Sequence, residues 1–294
     1  KISINKFKKN AWTSPFYKYE EDNKHEIILG ETLPKPMAPV IDKPFLEYLL
    51  VQLEEQGINR FVLLTGYLGN KIQEYFGDGR KWGWVIEYSK GPEEWDTGRR
   101  LWESKSKLDD KFLLLYSDNF IQFNLKKLMN LHEQENVAVS LLLAPKPSGN
   151  IRISPNGRIQ AYIKDRIGKG LDYVEVGYML VERDYVLSLY SDIKGSPDIS
   201  FTNIIELLVK NNQIAGLVVN DLYHSISDMD RLELMRVYLT PKKIILIDRD
   251  GVINRKAPQG KYIAKWEEFE WIDDTVQSMK QLAKQGFSFI VITN

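Results

Sequence analysis

The sequence predicts an α/β protein: a mixed, mostly parallel sheet covered by helices, followed by an incomplete second α/β unit. Three observations carry this. Continuous apolar runs such as Phe61-Val62-Leu63-Leu64 and Phe112-Leu113-Leu114-Leu115 alternate with segments whose apolar residues recur at helical spacing. A strand apolar along its whole length is buried on both faces, the pattern of a parallel sheet with helices on each side. After a break at Pro241, a fresh strand, helix and strand begin.

Residues 1–24 show no clean period and read as an arm or the tail of a preceding segment. Ile27-Ile28-Leu29-Gly30 is a short strand candidate. Residues 44–56 space Phe45, Leu49 and Leu53 helically, with Gly57 as the stop. Residues 61–66, 84–88, 112–116 and 137–144 read as strands, and 72–76 and 125–135 as helices. Past Gly149 the texture turns β-rich: 151–153, the turn Pro155-Asn156-Gly157, 159–163 and 173–181. A helix follows at 202–211. In the second unit, 243–248 and 287–292 are strands and 272–285 a helix closed by Gly286. Two strands and a helix do not close a core, so further chain is expected there. The expected domains are 25–239 and 240–294.

Composition narrows the function. Forty basic and forty acidic residues give a formal net charge of zero, against the basic excess of a general nucleic-acid binder. Cysteine is absent, which excludes disulfides and Cys-ligated zinc within these residues and fits a reducing cytoplasm. No stretch approaches the roughly 20 apolar residues of a membrane span. The sequence leaves homo-oligomerisation open.

Ligands of parallel sheets bind beyond the carboxyl ends of the strands, so the polar residues there are the ones to inspect. Lys35 lies between Pro34 and Pro36, a stiffly placed cation, and Asp118 ends an apolar strand. Attack on the α-phosphorus of a nucleoside triphosphate builds negative charge, which a lysine can meet and a carboxylate-held Mg²⁺ can share. Singly, each residue also reads as a surface turn lysine and a turn-forming aspartate. Their ordered combination is what points to chemistry.

Pro36-Met37-Ala38-Pro39-Val40-Ile41-Asp42-Lys43-Pro44-Phe45-Leu46-Glu47 closely resembles the signature of the sugar nucleotidyltransferases. The resemblance runs from residue 26 to about 235 and implies a Rossmann-like nucleotidyltransferase fold. It places Leu29, Gly30, Lys35, Thr97 and Gly98 at the nucleotide, Asp118 on Mg²⁺, and Lys164 and Gly177 at the sugar. NTP and a sugar phosphate are the implied partners, with heptose and GTP favoured. Three departures stand out. Gly30 abuts Glu31 where the family has a Gly-Gly-x-Gly-Thr-Arg-Leu loop: either the loop is truly deleted, which would cripple catalysis, or, as expected, a segment is missing there, setting the two Cα atoms well beyond the ~3.8 Å of one trans peptide. Ile163-Lys164-Asp165 lacks the family's sugar-binding glutamate. Ser225 stands where a second metal carboxylate is expected, which leaves the metal leaning on Asp118, with Asp228 an unaligned substitute.

Ile244-Ile245-Leu246-Ile247-Asp248-Arg249-Asp250-Gly251 is a strand opening onto two carboxylates. Side chains two apart share a side in extended chain, so both can face one phosphate, one attacking phosphorus and the other protonating the leaving alcohol. An EF-hand wants a longer acidic series and flanking helices. The string resembles the haloacid-dehalogenase phosphatases, within them the heptose-bisphosphate and histidinol-phosphate group. That resemblance implies Asp248 as nucleophile, Asp250 as acid/base, both also on Mg²⁺, and Thr293 as phosphate ligand. Together the two halves suggest an enzyme that trims a sugar bisphosphate and then activates its 1-phosphate. Two rivals remain: a non-catalytic nucleotide-sugar sensor or scaffold, and a phosphatase with a degenerate front domain.

Overall fold

Residues 61–65 are buried without interruption, and so are 139–144, which is why these segments form interior strands rather than amphipathic ones. The computed structural model describes residues 2–5, 32–192 and 199–293. Its chain divides into two units, Lys1–Tyr238 and Leu239–Asn294.

The first unit is built on one sheet. Its strand order is Ile159–Tyr162, Ile151–Ile153, Tyr173–Glu182, Lys111–Tyr116, Ile2–Asn5, Arg60–Thr65, Val85–Lys90. Val139–Pro145 pairs with both Tyr173–Glu182 and Ile214–Val218. The sheet is mixed, but not mostly parallel as expected. Among the described residues four ladders are parallel and four antiparallel. The long Tyr173–Glu182 strand accounts for the difference, since it runs antiparallel to both Lys111–Tyr116 and Val139–Pro145.

Ile2–Asn5 pairs in parallel with Arg60–Thr65 and Lys111–Tyr116, inside the sheet, although residues 1–24 were expected as an arm. Four residues are too few to show a period. The expected strand at Ile27–Gly30, the nucleotide candidates Leu29 and Gly30, and the Gly30–Glu31 separation lie outside the described residues.

Helix Phe45–Glu54 presses Phe45, Leu46, Leu49, Leu50 and Leu53 into the core, each at most 1% exposed, so its apolar stripe is the reason it folds. Helix Leu125–Glu135 begins where the Asn124 side chain accepts from Lys127 N–H at 3.0 Å and ends at Asn136 in the left-handed region. Helices Thr97–Glu103, Arg183–Ser188 and Met229–Leu239 and strand Ile214–Val218 carry no clear period in the sequence. No helix among the described residues is long and apolar enough to cross a membrane.

The second unit pairs Lys243–Asp248 with Phe287–Ile292 in parallel, in register from Lys243 opposite Phe287 to Asp248 opposite Ile292. Helix Asp273–Lys284 connects them. Leu246 remains 63% exposed and Ile290 51%, so neither strand is sealed into a core.

Candidate active site

Lys35 begins a short 3₁₀ turn, Lys35–Met37, closed by Met37 N–H to the Pro34 carbonyl at 2.7 Å and Ala38 N–H to the Lys35 carbonyl at 3.0 Å. Prolines on both sides restrict the backbone, so the side chain has one direction to take. Asp118 follows strand Lys111–Tyr116. The structure brings the two together: Lys35 Nζ lies 3.3 Å from Asp118 Oδ2, with the side chains only 8% and 23% exposed. That shielding separates this pair from a solvated surface bridge. Burial lowers the Lys35 pKa, against the pull of Asp118 and, more weakly, Asp228. Burial likewise raises Asp118, against Lys35. Both shifts run toward the neutral forms. In both groups burial outweighs the attraction between the two charges.

Around this pair the chain is tightly held. Asn119 donates through Nδ2 to the Val176 carbonyl at 3.2 Å and accepts from the Tyr223 hydroxyl at 2.9 Å. Asn119 also pairs with Ser225 in a two-residue ladder, and Ile226 N–H donates to the Asp118 carbonyl at 2.9 Å. This brings segment 225–228 beside Asp118. Ser225, which stands where a second metal carboxylate was expected, accepts through Oγ from Arg231 Nη1 at 2.8 Å. Asp228 pairs with Arg231 at 3.4 Å.

Gly177 breaks the strand with a φ of +79°, and a Cβ there would meet Tyr116 at 2.6 Å. Only glycine fits this bulge. Its N–H donates to Glu175 Oε2 at 2.9 Å. Burial raises the Tyr116 hydroxyl well above its usual pKa, and Glu175, Tyr162, Asp118 and Asp96 add to the rise. Sequence reasoning missed Glu175. Its signal was there: an acidic residue between Val174 and Val176.

The remaining candidates are placed less centrally. Thr97 Oγ1 accepts from Phe201 N–H at 2.8 Å, and Gly98 N–H donates to the Ile199 carbonyl at 2.8 Å. A Cβ on Gly98 would lie 2.5 Å from that carbonyl oxygen, so close backbone packing requires the glycine. Arg100, 3% exposed, donates to the carbonyls of Thr65, Pro92 and Trp95 and fixes the loop before Thr97. Lys164 is exposed and pairs with Glu206 at 3.1 Å.

In the second unit, Asp248 ends its strand and its Oδ1 accepts from Arg249 N–H at 2.8 Å. Asp250 accepts from Arg249 Nε at 3.1 Å and Nη2 at 2.7 Å, and from Asn254 Nδ2 at 3.1 Å. The guanidinium first, then the amide, lowers the Asp250 pKa. In this arrangement Asp250 is an acceptor, and proton donation requires release from Arg249. Thr293 follows directly on Ile292, the partner of Asp248 in register, so both lie at the same end of the strand pair.

A mixed sheet flanked by helices, with a shielded lysine–aspartate pair beyond its strand ends, defines the class as an α/β protein with a candidate site there. Residues 29–215 match the nucleotidyl transferase family model, more than half of the chain, and the chain belongs to that family. It is 25% identical over 191 residues to D-glycero-alpha-D-manno-heptose 1-phosphate guanylyltransferase of Campylobacter jejuni, covering 65% of this chain and 84% of the relative. The enzyme of the same name from Aneurinibacillus thermoaerophilus is 35% identical over 114 residues, 38% of this chain and 49% of the relative. A UTP–glucose-1-phosphate uridylyltransferase of Synechocystis is 27% identical over 152 residues, 46% and 39%. The chain thus spans about half or less of the length of two of these relatives. In fold it is similar to HddC from Yersinia pseudotuberculosis complexed with GMP-PN, with a TM-score of 0.61 at 15% identity, covering 81% of this chain and 98% of that one.

Proposed function

We propose that the first unit transfers a nucleotidyl group from a nucleoside triphosphate to a sugar 1-phosphate, with GTP and a heptose favoured. The observation that carries this is the shielded Lys35–Asp118 pair at 3.3 Å. The relatives support the reading, two named heptose 1-phosphate guanylyltransferases and one a glucose-1-phosphate uridylyltransferase. An oxygen of the sugar phosphate attacks the α-phosphorus, the bond to the bridging β-phosphate oxygen breaks, and pyrophosphate leaves with the electron pair. Lys35 meets the charge that develops on the phosphate oxygens, in a place where little water screens it. Among the described residues no group of three or more His, Asp or Glu gathers at metal-binding spacing. Mg²⁺ needs few protein ligands, because it keeps waters and takes phosphate oxygens. The single hard carboxylate of Asp118 fits that demand, and the ion would supply charge neutralisation on the phosphates.

Pyrophosphate release from a panel of NTPs and sugar 1-phosphates tests the proposal. Lys35→Ala is expected to lower kcat about 100- to 1000-fold, the scale of losing one preorganised charge-stabilising group. Unchanged release would remove Lys35 from the chemistry. One observation favours a second reading, a nucleotide-sugar-binding protein without turnover: Ser225, hydrogen-bonded by Arg231, stands where a second metal carboxylate was expected. Tight binding of an NDP-sugar with no pyrophosphate release from any pair would favour it.

For the second unit we propose phosphate-ester hydrolysis through Asp248, with Asp250 and Thr293 at the same strand ends. Phosphate release from a sugar bisphosphate by the intact protein checks it.

A further inference from the structure

Arg231 lies in the first turn of helix Met229–Leu239, beside the segment that packs on Asp118. That segment is pinned at two points, by the pairing of Ser225 with Asn119 and by Ile226 N–H to the Asp118 carbonyl at 2.9 Å. Arg231 Nη1 donates to Ser225 Oγ at 2.8 Å, and Nε lies 3.4 Å from Asp228 Oδ2. Two groups tie the guanidinium to the Lys35–Asp118 pair. Asp228 acts on the Lys35 ammonium as well as on Arg231, and the Tyr223 phenol feels both Asp118 and Arg231.

The helix does not need a guanidinium there. Asp228 already satisfies its first turn, its Oδ1 accepting from Arg231 N–H at 2.9 Å and its Oδ2 from the Ser227 hydroxyl at 3.0 Å. Ser225 Oγ also has the Ser227 hydroxyl at 3.3 Å. What the arginine side chain adds is charge and spare donors. Its Nη2 makes no hydrogen bond among the described residues, and the side chain is 51% exposed, open to a ligand. Lys35, Asp118 and Asp228 together are net negative, a balance that repels phosphate. Arg231 cancels the excess, and its planar fork of donors matches phosphate oxygens.

We propose that Arg231 is a phosphate-binding residue of the first unit, its guanidinium donating to a phosphate oxygen of a substrate bound beside Lys35 and Asp118. This rests on reading the unit as a sugar-1-phosphate nucleotidyltransferase, in which both substrates bring phosphate, as the triphosphate of the NTP and as the ester of the sugar.

Titration calorimetry of the full chain, in EDTA and again with Mg²⁺, reads the contact without turnover, with GTP, UTP and glucose 1-phosphate as separate probes. Arg231→Met keeps the stem and removes the charge. It should weaken at least one probe about 5- to 50-fold, between a solvated ion pair and a charge-assisted hydrogen bond. Arg231→Lys should recover part of the loss, and the gap between wild type and Arg231→Met should narrow as salt rises. Loss confined to GTP and UTP puts the guanidinium on the triphosphate, and loss confined to glucose 1-phosphate puts it on the sugar ester. Equal affinity of wild type and Arg231→Met for every probe would overturn the proposal. So would a loss that comes with a fall in Tm and is not recovered by Arg231→Lys, which leaves Arg231 a tie between helix and loop. Wild-type protein that binds phosphate through Arg231 yet releases no pyrophosphate from any pair keeps the contact and sinks the nucleotidyl-transfer reading. Wild-type protein that binds no probe in either buffer sinks both.

Discussion

Glu175 makes the stability of the first unit depend on pH, with a sign fixed by the direction of its shift. Burial raises its carboxyl from 4.5 to about 7, with the Gly177 N–H opposing and Asp118 adding. The folded protein therefore holds a proton that the unfolded chain gives up above pH 4.5. Stability from this group is fully present below that pH and is lost as pH rises toward about 7. Glu175→Gln cannot ionise and escapes the loss. Urea unfolding of the metal-free protein should show the two equally sensitive to pH below about 4.5, and the variant gaining on wild type by about 1–3 kcal/mol between there and neutral pH. A wild-type-to-variant difference that stays constant across the series would contradict the shift. Lys35 and Asp118 were readable from sequence because two prolines and a strand end constrain where such residues go. Glu175 gave one signal, a charge between two valines, but its surroundings come from the bulge at Gly177 and from tyrosines at positions 116, 162 and 223, which only the folded sheet gathers.

Among the elements, the bulge in strand Tyr173–Glu182 joins the sheet to the site. Gly177 adopts a φ of +79°, and a Cβ would stand 2.6 Å from Tyr116 Cδ2 and 2.9 Å from Tyr116 Cβ. A side chain at this conformation costs about 1–2 kcal/mol, and overlap with a packed ring adds about 1–3 more. Gly177→Ala should therefore lower unfolding free energy by about 2–5 kcal/mol, read by urea or thermal denaturation. A variant as stable as wild type would mean the strand relaxes without its bulge. Most strands and the longer helices were legible, because runs such as Leu113-Leu114-Leu115 and the Phe45-Leu49-Leu53 stripe state their environment directly. Ile214–Val218, with Gly216 at its centre, and the seven-residue helix Thr97–Glu103 give too little periodicity to read. The even split of parallel and antiparallel ladders was also out of reach. Apolar runs report burial on both faces, not the direction of the neighbour.

At the scale of the whole molecule, the two units carry separate candidate chemistries, and this separation is testable. The first unit has a closed core, in which Leu114, Leu141, Met179 and Ile204 are fully buried. The second holds Asp248 and Thr293 at the ends of a strand pair whose Leu246 and Ile290 stay largely exposed. If Asp248 attacks phosphorus, the P–O bond to the sugar breaks, the alcohol leaves with a proton, and water later cleaves the acyl phosphate. Replacing that nucleophile by an amide removes the attacking charge while keeping its shape. In intact protein, Asp248→Asn is expected to reduce phosphate release from a sugar bisphosphate at least about 100-fold, as loss of a covalent nucleophile does. Pyrophosphate release should stay at the wild-type rate, because Lys35 and Asp118 both belong to the first unit. The converse holds for Lys35→Ala, which should lower nucleotidyl transfer about 100- to 1000-fold and spare phosphate release. Phosphate release that survives Asp248→Asn would assign hydrolysis elsewhere. A simultaneous loss of both activities in either variant would show that the units work as one device, not two.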